Sequence, residues 1–340
     1  MPSPLTDAVE RVCRDVIAPA ALRVDADVVP RSHLDAIAAT GLLAGAPAAG
    51  SPADVRAAQE RLAGSCLSTW FVLAQHQTPA RLVRQAPPAI RDPLVPLLDS
   101  GTTLAGVAFS HLRRWPQRPV DVERVPGAWL FSGVAPWYTG WGINDVAVIG
   151  GATADGDVVF VLVPAEATHT LRPGRPSQTL AVSAARTVAL HLDELVVPDD
   201  GVLSVTHIEE WRRTDEHTAA NVSPAVLGVA QAALDRLRRV ADPTAQATAR
   251  RMSARLADLR DEAYDLIDTV DPDAKIARRL AIRAQAVRLC VDSTTALIVS
   301  RAGQAMLRTD DAQLLARWAL FLTVQAQTTP LRAEPVSYTH

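Results

Sequence analysis

The spacing of apolar residues changes twice along this chain, and that change constrains the fold more than any single motif. Apolar residues recur every three or four positions over residues 1–101, alternate or form short runs over 102–205, and again recur every three or four positions from 206 onwards. The outer patterns predict amphipathic helices and the middle one predicts β-strands. We therefore expect a helical domain over 1–101, a β domain over 102–205 and a C-terminal four-helix bundle over 206–340, an α+β fold.

The N-terminal domain is predicted to contain four helices separated by proline, glycine or small residues. The first ends at Pro19 and the second at Gly41, a loop of small residues spans 45–52, and Pro87 and Pro88 precede the last helix. Glycine just beyond a helix and proline near its ends are typical of helix boundaries. The predicted helices cover residues 5–20, 31–40, 53–85 and 90–98.

The middle domain is predicted to be a small antiparallel β domain. An Asp-Gly turn at 154–157 joins two of its strands as a hairpin. No helical pattern of ten residues lies between the strands, which argues against a parallel nucleotide-binding sheet. The predicted strands cover residues 103–109, 129–134, 146–150, 158–163, 187–192 and 195–197.

The C-terminal domain is predicted to be a bundle whose helices have recognisable starts. Ser223, Asp242 and Asp271 each precede a proline, so each can cap a helix that begins at that proline. The apolar residues of 276–298 share one helix face, and a final helix is predicted over 310–327.

One short stretch concentrates the aromatic residues that are scarce elsewhere. Residues 133–142 run G-V-A-P-W-Y-T-G-W-G, whereas Phe, Trp and Tyr make up only 4% of the chain. The faces of Trp137, Tyr138 and Trp141 can cover a flat apolar heterocycle, and the hydroxyl of Thr139 can bond to its edge. The alternative is that these aromatics fill a seam between two domains.

Charge and composition exclude several classes of function. A net charge of −3 gives no basic surface for nucleic acid or an anionic membrane. No run of about 18 apolar residues is present to span a membrane, and the acidic N-terminal segment does not resemble a signal peptide. Cys13, Cys66 and Cys290 lie far apart and indicate no disulfide framework. We expect a cytoplasmic protein that acts on a small-molecule substrate.

Most familiar catalytic motifs are absent. The chain has no G-x-G-x-x-G after a strand, no phosphate-binding loop and no G-x-S-x-G. Nicotinamide, nucleotide-hydrolysis and serine-hydrolase chemistry therefore have no support. The eight histidines lack metal-ligand spacing, so we expect no metal site. We interpret His76 and His111 as structural residues.

The domain order and several local motifs resemble the acyl-CoA dehydrogenase superfamily of flavoproteins. Ala108-Phe109-Ser110-His111 is similar to the family's A-[LM]-[TS]-E, and Trp137-Tyr138-Thr139 is similar to its W-[IV]-[TS]. Residues 95–101 resemble its L-P-x-L-x-x-G, 127–133 resemble G-x-x-L-x-G, and 187–203 resemble the exit from its β domain. Each motif alone is weak, but their order and spacing together predict this fold.

The resemblance implies FAD in a cleft between the β domain and the C-terminal bundle. Thr139 would bond near the flavin N5, Trp137 would pack beside the ring, and Ser110 would bond its edge. Subunits of the family pair through their bundles and share FAD contacts, so a dimer or tetramer is also implied. The candidate cofactor-binding residues are Phe109, Ser110, Trp137, Thr139, Gly303 and Thr328.

The C-terminal motifs of the family are reduced in this chain. The Arg-x-x-Phe-Gly motif that touches a neighbouring subunit's pyrophosphate is missing from 234–242, and Q-x-x-G-G-x-G is reduced to Arg301-Ala302-Gly303-Gln304. The E-G-T that carries many members' catalytic glutamate corresponds to Ala326-Gln327-Thr328, which cannot supply a base worth about 10²–10⁴ in rate. The catalytic base is therefore unassigned, with Glu216 and Asp235 as the nearest candidates.

Three hypotheses for function follow. The first is an FAD-dependent α,β-dehydrogenation of an acyl thioester or related substrate, with the base supplied from another position. The second is a flavin-dependent monooxygenase or oxidase on the same fold, which needs no α-proton base because reduced flavin reacts with oxygen. The third is a catalytically incomplete subunit that requires a homologous partner chain to complete its FAD site.

Overall fold

The structure, a computed structural model, describes residues 3–45, 50–268 and 275–334. Its elements follow the predicted order of helical, β and helical domains. The predicted loop at 45–52 lies partly outside the described residues, and the predicted cap Asp271 lies wholly outside them. None of the helices in these ranges is both long and apolar enough to cross a membrane.

The N-terminal domain begins several of its helices with side-chain caps. Ser3 accepts a hydrogen bond from the N–H of Thr6, and Ser51 and Asp54 form a reciprocal capping box. The helices of this domain are α1 (Pro4–Val12), α2 (Ala18–Asp25), α3 (Arg31–Ala38), α4 (Pro52–Ser65), α5 (Leu67–Gln85) and α6 (Pro88–Ser100), with a π-helical turn (Cys13–Ile17) between α1 and α2.

Two predicted helix boundaries in this domain are wrong. Pro19 does not end a helix, because it lies in the first turn of α2, where a backbone N–H is not needed. The single helix predicted over 53–85 is two helices, because Cys66 adopts an extended backbone conformation (φ −157°) between α4 and α5. The break at Cys66 was not predicted because that position holds neither glycine nor proline.

The β domain is one sheet, whose eight strands in the described chain are ordered β6-β7-β3-β2-β4-β5-β8, with β1 beside β4. Gly156, at φ +92°, closes the β4–β5 turn, which confirms the predicted hairpin. The strands are β1 (Ala105–Ala108), β2 (Val120–Val125), β3 (Ala128–Tyr138), β4 (Val146–Ala152), β5 (Asp157–Pro164), β6 (Leu171–Pro173), β7 (Val188–Pro198) and β8 (Val202–His207).

The sheet differs from the predicted one in pairing and in strand number. Most pairs are antiparallel, but β1 runs parallel to β4, and β2 meets β4 in parallel at one register position. The segments predicted separately over 187–192 and 195–197 form the single strand β7, whose register shifts opposite β3 near Glu194, a residue at φ +52°. Strands β2, β6 and β8 were not predicted, and β8 crosses the predicted domain boundary at 205.

The C-terminal domain confirms the predicted helical bundle. Ser223 accepts from the N–H of Ala225, and Asp242 accepts from those of Thr244 and Ala245, so both predicted caps are present. Helices α8 to α11 pack side by side as the four helices of the bundle. The helices are α7 (Ile208–Ala220), α8 (Pro224–Leu237), α9 (Pro243–Asp268), α10 (Ile276–Arg301), α11 (Asp311–Val324) and α12 (Thr329–Ala333).

The N-terminal helices and the bundle share one hydrophobic core, whereas each face of the sheet packs in a core of its own. The shared core depends on close contact between α4 and α8. A Cβ on Gly228 would lie 2.0 Å from the carbonyl oxygen of Glu60, and one on Gly64 would lie 2.5 Å from that of Gly228. These backbones can touch only because both positions are glycine, so the bundle is held firmly against the N-terminal domain.

Candidate functional site

The aromatic stretch begins in β3 and continues into a tight turn. Gly140 and Gly142 adopt φ values of +92° and +75°, which glycine tolerates without strain. The side-chain amide of Asn144 donates to the carbonyl oxygen of Thr139 at 3.0 Å, and a Cβ on Gly140 would lie 2.2 Å from that amide nitrogen. The sequence Thr-Gly-Trp-Gly therefore folds into one closed turn after β3.

This turn is bonded to the residues that lead into β7. The N–H of Gly140 donates to the carbonyl of Ala185 at 2.8 Å, and the N–H of Trp141 donates to that of Arg186 at 3.2 Å. The Arg186 guanidinium in turn donates a hydrogen bond to the Trp141 carbonyl at 3.1 Å. Because Tyr138 also pairs with Val188 in the sheet, the turn is fixed along its whole length.

The aromatic side chains of the stretch divide between the core and the surface. Tyr138 is fully buried, and burial raises the pKa of its phenol; its ring packs edge-on against Trp141 with 6.0 Å between the centroids. Trp137 points to the opposite face of the strand and is 52% exposed. Tyr138 is therefore a core residue, whereas the Trp137 indole is available to cover a flat ligand.

Thr139 is a buried polar residue beside Trp137. It is 4% exposed, and its hydroxyl lies 3.0 Å from the hydroxyl of Thr187, the residue before β7. Each hydroxyl carries one hydrogen and two lone pairs, and the bond between them uses one hydrogen and one lone pair. The pair can therefore both donate to and accept from a ligand at this edge of the sheet.

Ser110 begins a short 3-10 helix (Ser110–Arg114) that follows β1 and contacts β3. Its hydroxyl oxygen is buried and has no hydrogen-bond partner in the described structure. The next residue, His111, donates from Nε2 to the carbonyl of Gly150 at 2.8 Å, and burial lowers the pKa of its imidazole to about 4. His111 thus anchors the helix as a neutral residue, and the Ser110 hydroxyl is left for another partner.

Phe109 contributes to the core rather than to the surface beside Trp137. Its ring packs edge-on against Phe160 and Trp211, with centroid separations of 6.1 and 5.9 Å. Its ring is therefore used at least in part by the core, and its backbone is the part that the proposed site can use.

On the bundle side, Ala326-Gln327-Thr328, which the motif resemblance aligns with the family's E-G-T, lie in the turn between α11 and α12. Arg283 of α10, which is 4% exposed, donates to the carbonyls of Gln325 (2.8 Å) and Ala326 (3.3 Å) and to that of Ala219 at the end of α7. Burial lowers the pKa of Arg283 to about 10, so it stays charged at neutral pH. The carboxyl ends of α7 and α11 carry the negative ends of their helix dipoles, which stabilise this cation.

The side chains of this turn are neutral. Gln327 donates from Nε2 to the carbonyl of Thr323, and its Oε1 is buried without a hydrogen-bond partner in the described structure. Thr328 caps α12 by accepting from the N–H of Leu331 at 3.4 Å. Ala326 adopts φ +53°, an uncommon conformation for a residue with a Cβ. No carboxylate is present in this turn, and the nearest charge bonded to it is positive.

Gly303 lies on a different part of the bundle. It belongs to a 3-10 helix (Ala302–Met306), and a Cβ built on it would meet nothing within 4 Å. The six candidate cofactor residues are therefore divided between domains, with Phe109, Ser110, Trp137 and Thr139 on the β domain and Gly303 and Thr328 on the bundle.

Ionic contacts connect these parts of the site. Asp215 of α7 accepts two hydrogen bonds from Arg113, at 2.6 and 2.8 Å, and so ties the helix of Ser110 to the bundle. Asp235, one of the two candidate bases, accepts from Gln231 at 3.0 Å and pairs with Arg238.

The side-chain roles of Thr187 and Arg283 were not predicted. Their hydrogen-bond partners are 42 to 64 residues away in sequence, so no local pattern signals them.

Solved structures with the same fold include several flavoenzymes. A butyryl-CoA dehydrogenase from Megasphaera elsdenii matches with a TM-score of 0.82 at 14% identity, covering 95% of this chain and 94% of that one. A glutaryl-CoA dehydrogenase from Mycobacterium smegmatis, in complex with FADH2, matches at 0.79 and 16% identity, covering 95% and 90%. A dibenzothiophene monooxygenase from Paenibacillus sp. A11-2 matches at 0.78 and 17% identity, covering 94% and 92%.

These matches establish the fold. No protein-family model and no curated protein matches the chain. The chain therefore has the fold of the acyl-CoA dehydrogenase superfamily, which confirms the resemblance found in its motifs.

The residues of the β domain fit a flavin ring. An exposed indole, a partly buried hydroxyl pair with unused hydrogen-bonding capacity and a buried serine hydroxyl, which has no partner in the described structure, lie on adjoining elements. No group of three or more His, Cys, Asp or Glu side chains able to hold a metal occurs in the residues described by the structure.

Proposed function

We propose that this chain is an FAD-dependent oxidoreductase that uses the acyl-CoA dehydrogenase fold. The observation that supports it most is the surface at the end of β3, where the half-exposed Trp137 stands beside the Thr139–Thr187 hydroxyl pair, on the strand that the helix of Ser110 contacts. Ligand sites for flat heterocycles combine an apolar face with a few polar groups at its edge. The fold shared with flavoenzymes supports the same cofactor.

In this proposal the β domain orients the ring and shields it from water. Trp137 covers one face, Thr139 and Ser110 bond to the edge, and the backbone of Phe109 lines it. Bound FAD supplies a two-electron acceptor, which no side chain can provide. Gly303 and Thr328 would contact the remainder of the cofactor from the bundle, with neighbouring copies in a dimer or tetramer sharing these contacts.

The first candidate reaction is α,β-dehydrogenation of an acyl thioester or related substrate. It requires a base, and the turn at 325–328 has no carboxylate. Of the two other candidates, Asp235 is already bonded to Gln231 and Arg238, whereas Glu216 lies half-buried on α7 beside Asp215, which is tied to the helix of Ser110. Glu216 is therefore the proposed base for this reaction.

The second candidate is a flavin-dependent monooxygenase or oxidase. The observation that favours it is the pairing of a buried cation, Arg283, with a neutral turn that has Ala326 at the position where the resemblance would put the base. Reaction of reduced flavin with oxygen needs no carboxylate at this position. A monooxygenase among the structures that share the fold supports this candidate.

An anaerobic titration separates these reactions. Purified protein loaded with FAD is mixed with butyryl-CoA while flavin absorption is followed. Bleaching that is lost in Glu216→Gln but kept in Asp235→Asn supports dehydrogenation. No bleaching by the thioester, together with oxygen uptake by the chemically reduced protein that exceeds uptake by free reduced FAD, supports the second candidate. Protein that retains no FAD contradicts both and directs attention to a homologous partner chain that completes the site.

A further inference from the structure

The hydroxyl of Thr187 is the one polar side-chain group bonded to the hydroxyl of Thr139 in the described chain, at 3.0 Å. Both residues are held by their backbones. The Thr139 carbonyl accepts from Asn144, and the Thr187 carbonyl accepts from the N–H of Ser177 at 2.8 Å. Their neighbours Tyr138 and Val188 are paired across the sheet. The backbones that carry the two hydroxyls are therefore fixed, and the hydroxyls face each other across one hydrogen bond whose hydrogens can rotate.

The hydrogens of this pair can be arranged in two ways. If Thr187 donates to Thr139, then Thr139 has its own hydrogen left to donate to a ligand. If Thr139 donates to Thr187, then Thr139 presents only lone pairs and can accept from a ligand. Thr187 is partly exposed, so its remaining capacity can be satisfied by water in either arrangement.

We propose that Thr187 is a positioning residue for the flavin ring, because it sets the hydrogen-bond direction of Thr139. This inference rests on the proposed function. Oxidised flavin presents an acceptor nitrogen at its central ring, and two-electron reduction converts that nitrogen to an N–H donor. A single buried hydroxyl that accepts from the N–H of the reduced ring leaves its own hydrogen without a partner, whereas in the Thr139–Thr187 pair that hydrogen is donated to Thr187, so the pair satisfies both states by reversing its hydrogens.

A neighbouring hydroxyl also strengthens the bond that Thr139 makes. A hydroxyl that accepts one hydrogen bond becomes a better donor of its own hydrogen, since bonds in a chain polarise one another. Removing the Thr187 hydroxyl therefore weakens the contact between Thr139 and the ring although Thr187 itself does not touch the ring.

The test is a double-mutant cycle on FAD affinity. The dissociation constant of FAD and the visible spectrum of the bound cofactor are measured for the wild type, Thr187→Val, Thr139→Val and the double variant. Valine keeps the shape of threonine and suits a position next to a strand, so folding is retained. We expect Thr187→Val to weaken FAD binding by about 3- to 10-fold, the effect of one neutral hydrogen bond, and to shift the absorption band of the bound flavin.

The cycle also distinguishes positioning from a structural role. In the Thr139→Val background, Thr187→Val should change FAD affinity by less than about twofold, because the residue through which it acts is gone. Thr187→Ser, which keeps the hydroxyl, should restore wild-type affinity and spectrum, and it provides a second test if the valine variant does not fold.

Three results would overturn the inference. Equal affinity and spectrum in Thr187→Val and the wild type would show that the pair has no effect on the ring. If Thr187→Val weakened FAD binding as much in the Thr139→Val background as in the wild type, Thr187 would affect the site through the folded structure and not through Thr139. Wild-type protein that binds no FAD would overturn the proposed function as well, which separates that failure from the first two.

Discussion

The two sides of the proposed cleft differ in how much chemistry their residues offer. The ring side comprises Ser110, Trp137, Thr139 and Thr187 of the β domain, and it combines an open aromatic face with hydroxyls that have unused hydrogen-bonding capacity. The bundle side comprises Arg283 and the turn at 325–328, and its cation is engaged by three backbone carbonyls. The ring side therefore keeps hydrogen-bonding capacity for the proposed ligand, whereas the Arg283 cation of the bundle side is used by the fold.

This difference indicates that cofactor binding and proton transfer are separable in this fold. A flavin ring needs a flat face and a few edge contacts, which a rigid sheet supplies. Removing a proton also needs a base beside the ring, and Ala326-Gln327 leaves no carboxylate at the position where the resemblance would put one. A chain can therefore keep the first property without the second.

The largest expected effect is on the bundle side. Arg283→Met removes the donor from three carbonyls, one of them on the buried Ala219 and two on the half-buried Gln325 and Ala326, so we expect a loss of about 3 kcal/mol in the free energy of unfolding. Urea unfolding measures this change in the free energy of unfolding, and Arg278→Met is the matched control. Arg278 forms an exposed ion pair with Glu262, so the loss of that pair should cost less than about 1 kcal/mol. Stability equal to the wild type in Arg283→Met would mean that the arginine is not a structural tie.

A second effect tests the contact that holds the bundle in place. Gly228→Ala places a Cβ against the Glu60 carbonyl, so we expect a loss of about 2–3 kcal/mol. Gly303→Ala is the control, since its Cβ meets nothing within 4 Å, and its unfolding free energy should change by less than about 0.5 kcal/mol. If Gly303 contacts the cofactor as proposed, that same variant weakens FAD binding while its stability stays unchanged.

The third effect is a loss of stability in acid. Burial lowers the pKa values of His76 and His111 to about 4, whereas the pKa of histidine in an unfolded chain is about 6.5. The unfolded chain therefore takes up protons first, and stability present above about pH 6.5 is lost as the pH falls toward 4. At pH 5 we expect a loss of about 2 kcal/mol for each histidine.

Urea unfolding at pH 7.5 and pH 5 checks this effect. His76 receives the N–H of Ala105 at Nδ1 and donates from Nε2 to the carbonyl of Leu98, both at 3.1 Å. In His76→Gln the difference between the two pH values should shrink by about 2 kcal/mol. An unchanged difference would mean that the imidazole of His76 is not kept neutral by the fold.

The smallest expected effect lies on the ring side. Ser110→Ala removes a buried hydroxyl that has no partner, so the cofactor-free protein should be as stable as the wild type or slightly more stable. FAD affinity should nevertheless fall by about 3- to 10-fold, because the edge contact is lost. Ser132→Ala, a half-buried serine on β3, is the control for thermal melting and FAD titration. Unchanged FAD affinity in Ser110→Ala would remove Ser110 from the site.

The sequence predicted those features that depend on neighbouring residues. The helix caps Ser223 and Asp242 and the turn closed by Gly156 are local, so the residue types that form them are recognisable. The domain order followed from apolar spacing, since each pattern extends over many residues. The aromatic turn was located because its glycines and aromatics are consecutive.

Features that depend on distant residues could not be predicted. The Thr139–Thr187 pair depends on the register of β3 against β7 across 48 residues, and the parallel pairing of β1 with β4 depends on where two separated strands meet. In the sequence, Arg283 is one of several arginines in a basic stretch. Its role became visible only from the carbonyls that it contacts in the structure. For the same reason Phe109, a candidate from its motif, proved to direct its ring into the core.

The most direct test of the ring-side proposal is the absorption spectrum of the purified protein from 300 to 550 nm, with and without added FAD, before and after desalting. The proposal predicts flavin bands that stay with the wild-type protein and are lost on desalting from a Trp137→Ala, Thr139→Val double variant that still folds. A wild-type protein that keeps no flavin after FAD is added would contradict the proposal that Trp137, Thr139 and Ser110 form a flavin site in this chain.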